Sequence, residues 1–434
     1  GFNAWNLSSV PVKGVPGSNS EGLENGFARS KLAWYSIDQV FYSRQPNGID
    51  NNDVSSNETR SIFIEELFPE QDIVQGMIRR LPTLDLAYYP NERGPYNNSP
   101  ENQFKTNPKM NWAGITRSLN ATNFEQSNVE FIEFWLLDTF SDKLSSNDDL
   151  GELVFHLGNI SEDILKDGRK QFENGLPSAS EGNPTYQTSW GKVPATQSLV
   201  YAFNTNSEDR QLQDVGLDGL SDSEEAAIYT NGPVNDPAGD NYQYYLQAEG
   251  GILERYKNYN GFENNTPVEF SDNDRGNTTE PDTEDINRDQ SMNTIDSYFE
   301  YRVPIFKTMQ VGNHPFITDV RNNIQVNAPN GDQYSTRWIQ FKIPIQKSYY
   351  ENTSFDNYFD AVNEINDLRS IRFMRMLLTG FEEDVVLRFG TLDLVRGDWR
   401  RYNKPLNKDL ISNSNTTLDI STVNILENEN RIPI

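Results

Sequence analysis

The chain has 434 residues, and 64 acidic against 37 basic side chains give it a net charge of −27. Hydrophobic residues are 35 % of the sequence but aromatics reach 12 %, so there is bulk enough for a sizeable core, which excludes disorder. Acidity without a basic stripe excludes nucleic-acid binding, and the lack of cysteine removes thiol chemistry, disulfides and Cys-type zinc sites.

Short strand-like runs between Gly, Pro, Asn and Asp turns dominate, the pattern of a β-sandwich or barrel. Residues 1–24 read as an N-terminal extension or strand, and 25–203 as a first jelly-roll-like sandwich module. Within it, Asn128–Asp138 (NVEFIEFWLLD) alternates Ile132, Phe134 and Leu136 on one face with Phe131, Glu133, Trp135 and Leu137 on the other. After a polar loop, Gly151–Gly158 (GELVFHLG) points Leu153, Phe155 and Leu157 inward and Glu152 and His156 outward. Asn159–Leu165 (NISEDIL), ahead of Asp167 and Gly168, predicts a short helical turn, and Leu199–Phe203 a strand.

Residues 204–297 form an acidic, Asn-rich insert, in which Ser221 and Glu224 make a capping box ahead of Ala226, Ala227 and Ile228. Residues 298–406 read as a second jelly-roll-like module, with strands at Tyr298–Ile305 and Arg337–Ile345 and a helical candidate at Asp360–Asp367. It continues through Leu368–Phe381, interrupted by Arg372 and Arg375, to Glu383–Phe389, Leu392–Val395 and the basic Arg396–Tyr402. The blocks FIEFWLLDTF…GELVFHLG and FMRMLLTGF…DVVLRFG read as an internal repeat. Residues 407–434 are a polar tail leading to a next segment, with the strand-like run TLDISTVNIL. The expected fold is therefore mainly β: two jelly-roll-like β-sandwich modules, an acidic loop-rich insert and a few short helices.

No apolar run approaches the roughly 20 residues of a transmembrane helix. Tyr298–Ile305 and Arg337–Ile345 come near the pattern of a membrane barrel strand, but each ends close to a proline and lies between charged stretches, so the chain reads as not membrane-spanning. It opens on Gly1 without an initiator Met or leader and reads as a fragment of something longer.

Two stretches of the insert have calcium-loop spacing. In Asp214–Glu225 (DVGLDGLSDSEE), Asp214, Asp218, Asp222 and Glu225 occupy loop positions 1, 5, 9 and 12, the Leu220 carbonyl position 7, and Gly219 the sharp turn at position 6. Position 3 is Gly216, so one oxygen donor is missing. In Asp285–Asp296 (DINRDQSMNTID), Asp285, Asn287, Asp289, Asn293 and Asp296 fall at positions 1, 3, 5, 9 and 12, with Gln290 at the turn instead of glycine. Hard oxygens at alternating positions of a tight loop suit Ca2+; the competing reading is an Asx turn whose acids face water.

Other candidates carry less. Glu65 and Glu66, or Glu382 and Glu383, could supply a glycosidase pair, but adjacent acids on a strand point to opposite faces. Two histidines, His156 and His314, leave almost no room for a histidine metal triad or a Ser-His-Asp site. Trp135, Trp190, Trp338 and Trp399 could stack on sugars or pack in the core. Arg396, Arg400 and Arg401 form a basic cluster in an acidic chain.

Several runs resemble the SprA/Sov family, the giant outer-membrane translocon of the Bacteroidetes type 9 secretion system, tied in some members to gliding motility. They are KLAWYSI from Lys31, LDLAYYPNERGPY from Leu84, WAGITR from Trp112 and Asn128–Asp138, followed by LGNISEDILKDGRKQFENGL from Leu157. Gln213–Glu225, Pro281–Tyr301 and FGTLDLVRGDWRRY from Phe389 complete the set, in order along nearly the whole chain. The resemblance implies a non-enzymatic part of a protein-conducting channel in the outer membrane, on the extracellular or periplasmic side. Its partners would be the remainder of the translocon barrel, secreted cargo proteins and secretion-system accessory proteins. It implies no catalytic residues. The alternative reading of the residues is a cell-surface carbohydrate-binding or adhesive sandwich.

Overall fold

A computed structural model describes residues 2–71, 79–144, 151–179, 182–267, 278–351 and 353–397. In chain order its strands are β1 (Asn6–Leu7), β2 (Ser30–Tyr35), β3 (Leu84–Arg93), β4 (Trp112–Ser118), β5 (Val129–Leu137), β6 (Gly151–Asn159) and β7 (Thr185–Gln187). They continue as β8 (Lys192–Pro194), β9 (Ser297–Ile305), β10 (Ile317–Asn327), β11 (Gln333–Pro344), β12 (Phe359–Val362), β13 (Phe373–Thr379) and β14 (Val385–Arg396). The helical elements are short, none longer than five residues.

Two antiparallel six-stranded sheets carry the fold, in spatial order β1-β4-β13-β6-β9-β12 and β10-β11-β5-β14-β3-β2, with β7 and β8 as a separate hairpin. Alternation fixes which faces meet. Ile132, Phe134 and Leu136 of β5 are fully buried, as the sequence pattern requires, and face Leu153, Phe155 and Leu157 of β6. The Phe134 ring lies 5.5 Å from Phe155 of the opposite sheet and stacks at 4.9 Å on Phe341 of its own. Each such buried side chain contributes about 1.5–3 kcal/mol of transfer free energy.

The mainly β expectation holds, but the strands of the two expected modules interleave. β13 lies between β4 and β6, and β14 between β5 and β3. Each repeat block crosses from one sheet to the other, in opposite order, and the blocks pair with one another, Met376 opposite Phe155 and Phe389 opposite Leu136. The apolar face of one block is covered by the other, so Gly1–Gly397 is a single unit. The tail from Asp398, with Trp399, Arg400 and Arg401, lies outside the described residues.

Both outer faces are covered as well, which explains strands apolar on two sides. Val10 and Ala28 of the N-terminal segment pack on Trp112, Val154 and Leu377 of the first sheet. On the second, Phe41, Ile49, Val54, Tyr245 and Ile252 cover Ala33, Tyr35, Ala87 and Val386. The covering loop is pinned by Arg388, whose guanidinium pairs with Asp85 at 3.1 Å and donates to the carbonyls of Asn57 and Arg60, both at 2.9 Å. The β2 edge is closed by the Asn260 side-chain amide, which accepts from the Trp34 N–H at 2.9 Å and donates to its carbonyl at 3.0 Å, standing in for another strand.

Three local expectations fail for identifiable reasons. Asn159–Leu165 forms no helical turn, because the N–H groups of Ile164 and Leu165 donate to the Glu284 carboxylate at 2.7 and 3.0 Å. Asp360–Asp367 is not helical: Phe359–Val362 pairs with β9, and Asn363 and Glu364 turn the chain with φ of 54° and 62°. Leu199–Phe203 lies in no strand, with Leu199 and Val200 exposed.

His156 points away from the core, as expected, yet is fully buried. Arg375 Nε donates to its Nδ1 at 2.9 Å, so the ring proton sits on Nε2 and is donated to Glu300 Oε2 at 2.9 Å. Burial and then the Arg375 charge hold the imidazole down at about 4. Burial pushes Glu300 up, but the His156 hydrogen bond and Arg302 outweigh it and bring it to about 2. A depressed histidine adds stability that is complete above its unfolded value near 6.5 and is lost as pH falls toward 4, by at most about 1.4 kcal/mol per pH unit. His156→Gln keeps one donor and one acceptor but cannot titrate. Its urea-unfolding free energy is expected to fall less steeply between pH 6.5 and 4 than that of the unaltered chain; equal slopes would show that His156 is not the group titrating.

Candidate metal centre

The first calcium-like loop turns twice, at Gly216 (φ 77°) and Gly219 (φ 69°). Gly219 holds the sharp-turn position as expected, and a Cβ there would meet the Lys192 carbonyl at 2.5 Å. Gly216 explains the missing donor: a Cβ would lie 2.1 Å from Asp240 Oδ2. Asp240, from outside the loop, therefore occupies the space a ligand at position three would fill. The expected capping box follows, Ser221 N–H donating to Glu224 Oε2 at 3.2 Å and opening the short helix Asp222–Glu225. One helical turn puts Asp222 and Glu225 on the same side.

Five carboxylates converge here. Ligand oxygens of Asp218, Glu225 and Asp240 lie within 4.8 Å of one another, as do those of Asp222, Glu225 and Glu263, so Glu225 belongs to both sets. Single oxygens are held by protein donors: Asp218 Oδ1 by Leu220 N–H at 3.0 Å, Glu225 Oε2 by Ala238 N–H at 2.9 Å, and Asp240 Oδ2 by the Tyr96 hydroxyl at 2.8 Å. Asn241 donates to Asp222 at 3.1 Å. In contrast, Asp218 Oδ2, Glu225 Oε1, Asp240 Oδ1 and Glu263 Oε2 are buried without a hydrogen-bond partner. The first three residues are 0 % exposed and Glu263 is 5 % exposed. Among the described residues no basic side chain forms an ion pair with any of the five.

Buried charges of one sign raise each other's proton affinity. Burial and then the Asp240 and Asp218 charges push Glu225 up to about 11. Burial and the neighbouring acids push Glu263 up to about 8, and Asp218 and Asp240 rise well above the usual carboxylate range. A divalent cation relieves this repulsion directly. Ca2+ with oxygens at about 2.3–2.6 Å spans ligands up to roughly 5 Å apart, which matches the spacing found. These buried acidic clusters could bind a metal ion, and an all-oxygen donor set suits a hard cation.

The other expected ligands fall elsewhere. Asp214 accepts from Thr266 N–H at 3.1 Å and sits in a neighbouring acidic group with Glu173 and Asp282, where burial above all pushes it up to about 7. Leu220 reaches Asp218 through its N–H. In the second loop Gln290 has the left-handed φ of 69° that position six demands. Its acids, however, are supplied with protein donors. Asp285 accepts from Asp289 and Gln290 N–H at 3.0 and 2.8 Å and from the Lys170 ammonium at 2.8 Å. Asn287 and Asp289 accept from backbone N–H two residues on, at 3.0 and 2.9 Å. Asn293 donates to the Ile160 carbonyl at 2.7 Å, and Asp296 lies 3.6 Å from Arg375. The first loop thus contributes Asp218, Asp222 and Glu225 to the five-carboxylate cluster. Asp240 and Glu263 have no spacing signal; the glycine at a ligand position is the trace Asp240 leaves in the sequence.

The remaining candidates serve packing. Glu66 forks onto Arg60 at 2.7 and 2.8 Å, and Glu65 pairs with Arg79. Trp135, Trp190 and Trp338 are 5, 2 and 0 % exposed, so none offers a face to a sugar.

Gly168 has a φ of 71° and open space around its Cβ position, whereas Gly216 has nearly the same φ but faces Asp240. Alanine at either site carries the left-handed backbone cost of roughly 1–2 kcal/mol. Gly216→Ala is expected to lose more than Gly168→Ala in chemical denaturation and, unlike it, to lose the stabilisation given by excess divalent cation over EDTA. Equal losses and equal cation responses would separate Asp240 from the loop.

The SprA_N family model, described as "Motility related/secretion protein", matches residues 218–434. The match takes in Asp218, Asp222, Glu225, Asp240 and Glu263 and the strands from β9 to β14. No curated protein matches the chain. With half of its length matched, this chain belongs to the SprA_N family of motility-related and secretion proteins.

Proposed function

We propose that the chain is a non-enzymatic, cap-like region of a giant outer-membrane channel that exports folded proteins in type 9 secretion and supports gliding motility. Membership of a motility and secretion family carries this reading. The fold supports a cap or flank over a stretch of barrel wall. Its two sheets face each other and both outer faces lie under the chain's own segments, so the described strands present no apolar band to lipid. No helix among the described residues is long and apolar enough to cross a membrane. The net charge of −27 keeps such a surface hydrated and discourages adhesion of passing cargo. The adhesive alternative lacks a stacking platform at Trp135, Trp190 and Trp338.

The cation of the five-carboxylate cluster is, in this reading, Ca2+, held at the weak affinities of extracellular modules and tightening the insert. Saturation at 100 times the dissociation constant adds about 2.7 kcal/mol of stability. Thermal melts of the EDTA-stripped chain with and without millimolar Ca2+ are expected to show that increase; coincident melts would remove calcium from the account.

Removing residues 25–402 in frame from the encoding gene tests the cap. Periplasmic proteins are expected to leak through a normally inserted channel. Unchanged export without leakage would overturn the reading and leave adhesion as the better account.

A further inference from the structure

We propose that the insert holds two divalent cations: an inner one among Asp218, Glu225 and Asp240 and an outer one among Asp222, Glu225 and Glu263, bridged by Glu225. This builds on the calcium reading above and adds the number, place and coupling of the ions. The two carboxylate sets share Glu225 alone. The residues that carry unpartnered oxygens divide between them, Asp218 (Oδ2) and Asp240 (Oδ1) in the inner set, Glu263 (Oε2) in the outer, and Glu225 (Oε1) in both. One ion in the inner set would leave Glu263 Oε2 buried and bare. An ion in the outer set alone would leave two oxygens in that state.

Charge decides in the same direction. Five ionised carboxylates bring −5, so one divalent ion leaves −3 and two leave −1. A residue of −3 without a basic partner is hard to hold in a site where three of the residues are fully buried. A residue of −1 is the smaller charge to keep buried. The sets also differ in access. Asp218 and Asp240 are shut away from water, whereas Asp222 is half-buried and opens the outer set to solvent. The inner ion is therefore structural and slow to leave, and the outer ion exchanges.

Equilibrium dialysis of the EDTA-stripped 434-residue chain against CaCl2 counts the ions, with far-UV circular dichroism checking each variant's fold. Relative to the unaltered chain, Glu263→Gln is expected to lose one bound Ca2+, Asp240→Asn one, and Glu225→Gln two. A single substitution that removes two ions is the signature of the bridge. If Glu225→Gln does not fold, the loss of one ion in each of the other two variants, with the second ion retained, supports the two sites. Loss of a single ion in folded Glu225→Gln overturns the bridge. An unchanged count in Glu263→Gln overturns the outer site and leaves one calcium site standing. No calcium bound by the unaltered chain overturns both this inference and the calcium reading beneath it.

Discussion

A carboxylate taken out of water needs hydrogen-bond donors or a cation around it, and the region between β6 and β9 is built on that requirement. Its buried acids fall into two kinds. Glu284 accepts three backbone N–H groups, from Ile164, Leu165 and Gln171, and Glu162 accepts from Ile286, Asn287 and Asn293. The two glutamates thus hold each other's loops, and the exchange fastens the insert beside the end of β6. Glu173 acts likewise on Gly216 and Asp282. The second kind, Asp214, Asp218, Glu225, Asp240 and Glu263, each keeps a buried oxygen without a hydrogen-bond partner. Protein donors satisfy the first kind; of the second, Asp218, Glu225, Asp240 and Glu263 lie in the buried acidic clusters that could bind a metal ion. The same residue types therefore do two jobs, separated by where the surrounding N–H groups point.

The sandwich beneath depends on a related economy. Each repeat block would expose an apolar face if it folded alone, and its partner block covers that face across both sheets. The polar side chains that the alternation sends outward are then buried by covering segments, and charged ones among them sit there in matched sets. Arg388 with Asp85 and the covering-loop carbonyls is one such set, and His156 with Arg375 and Glu300 is another. Breaking one partner of a buried pair strands the other, at a cost of about 3–5 kcal/mol. Such sets fix which loop lies on which face.

How much of this was legible in the sequence follows from the range of each interaction. The faces of β5 and β6 were readable because alternation is local and the core side of β5 is wholly apolar. The capping box at Ser221 and Glu224 and the left-handed turns at Gly219 and Gln290 were readable for the same reason. The interleaving of the two blocks was not, since strand pairing between residues more than two hundred positions apart leaves no trace in spacing. The failed helical turn at Asn159–Leu165 shows the limit most plainly: its N–H groups go to Glu284, far along the chain, and local propensity cannot see that acceptor. For the metal centre, the loop template located Asp218, Asp222 and Glu225 but assumed that one loop supplies every ligand.

The acidic cluster draws in carboxylates from outside that loop in a way that ties it to the fold. Asp240 enters the site because the Tyr96 hydroxyl holds it at 2.8 Å while accepting from Leu217 N–H at 2.9 Å. Tyr96 is itself part of the sandwich core, fully buried, in a left-handed conformation with φ of 60°, and stacked at 6.3 Å on Phe262 of the insert. The segment between β3 and β4 therefore carries near its start a core residue whose polar tip orients a carboxylate of the cluster. On the two-ion proposal, an ion bound by Asp240 would draw the insert toward that tip, and cation occupancy and the docking of the insert on the sandwich would be one equilibrium, with Tyr96 as the point where they meet.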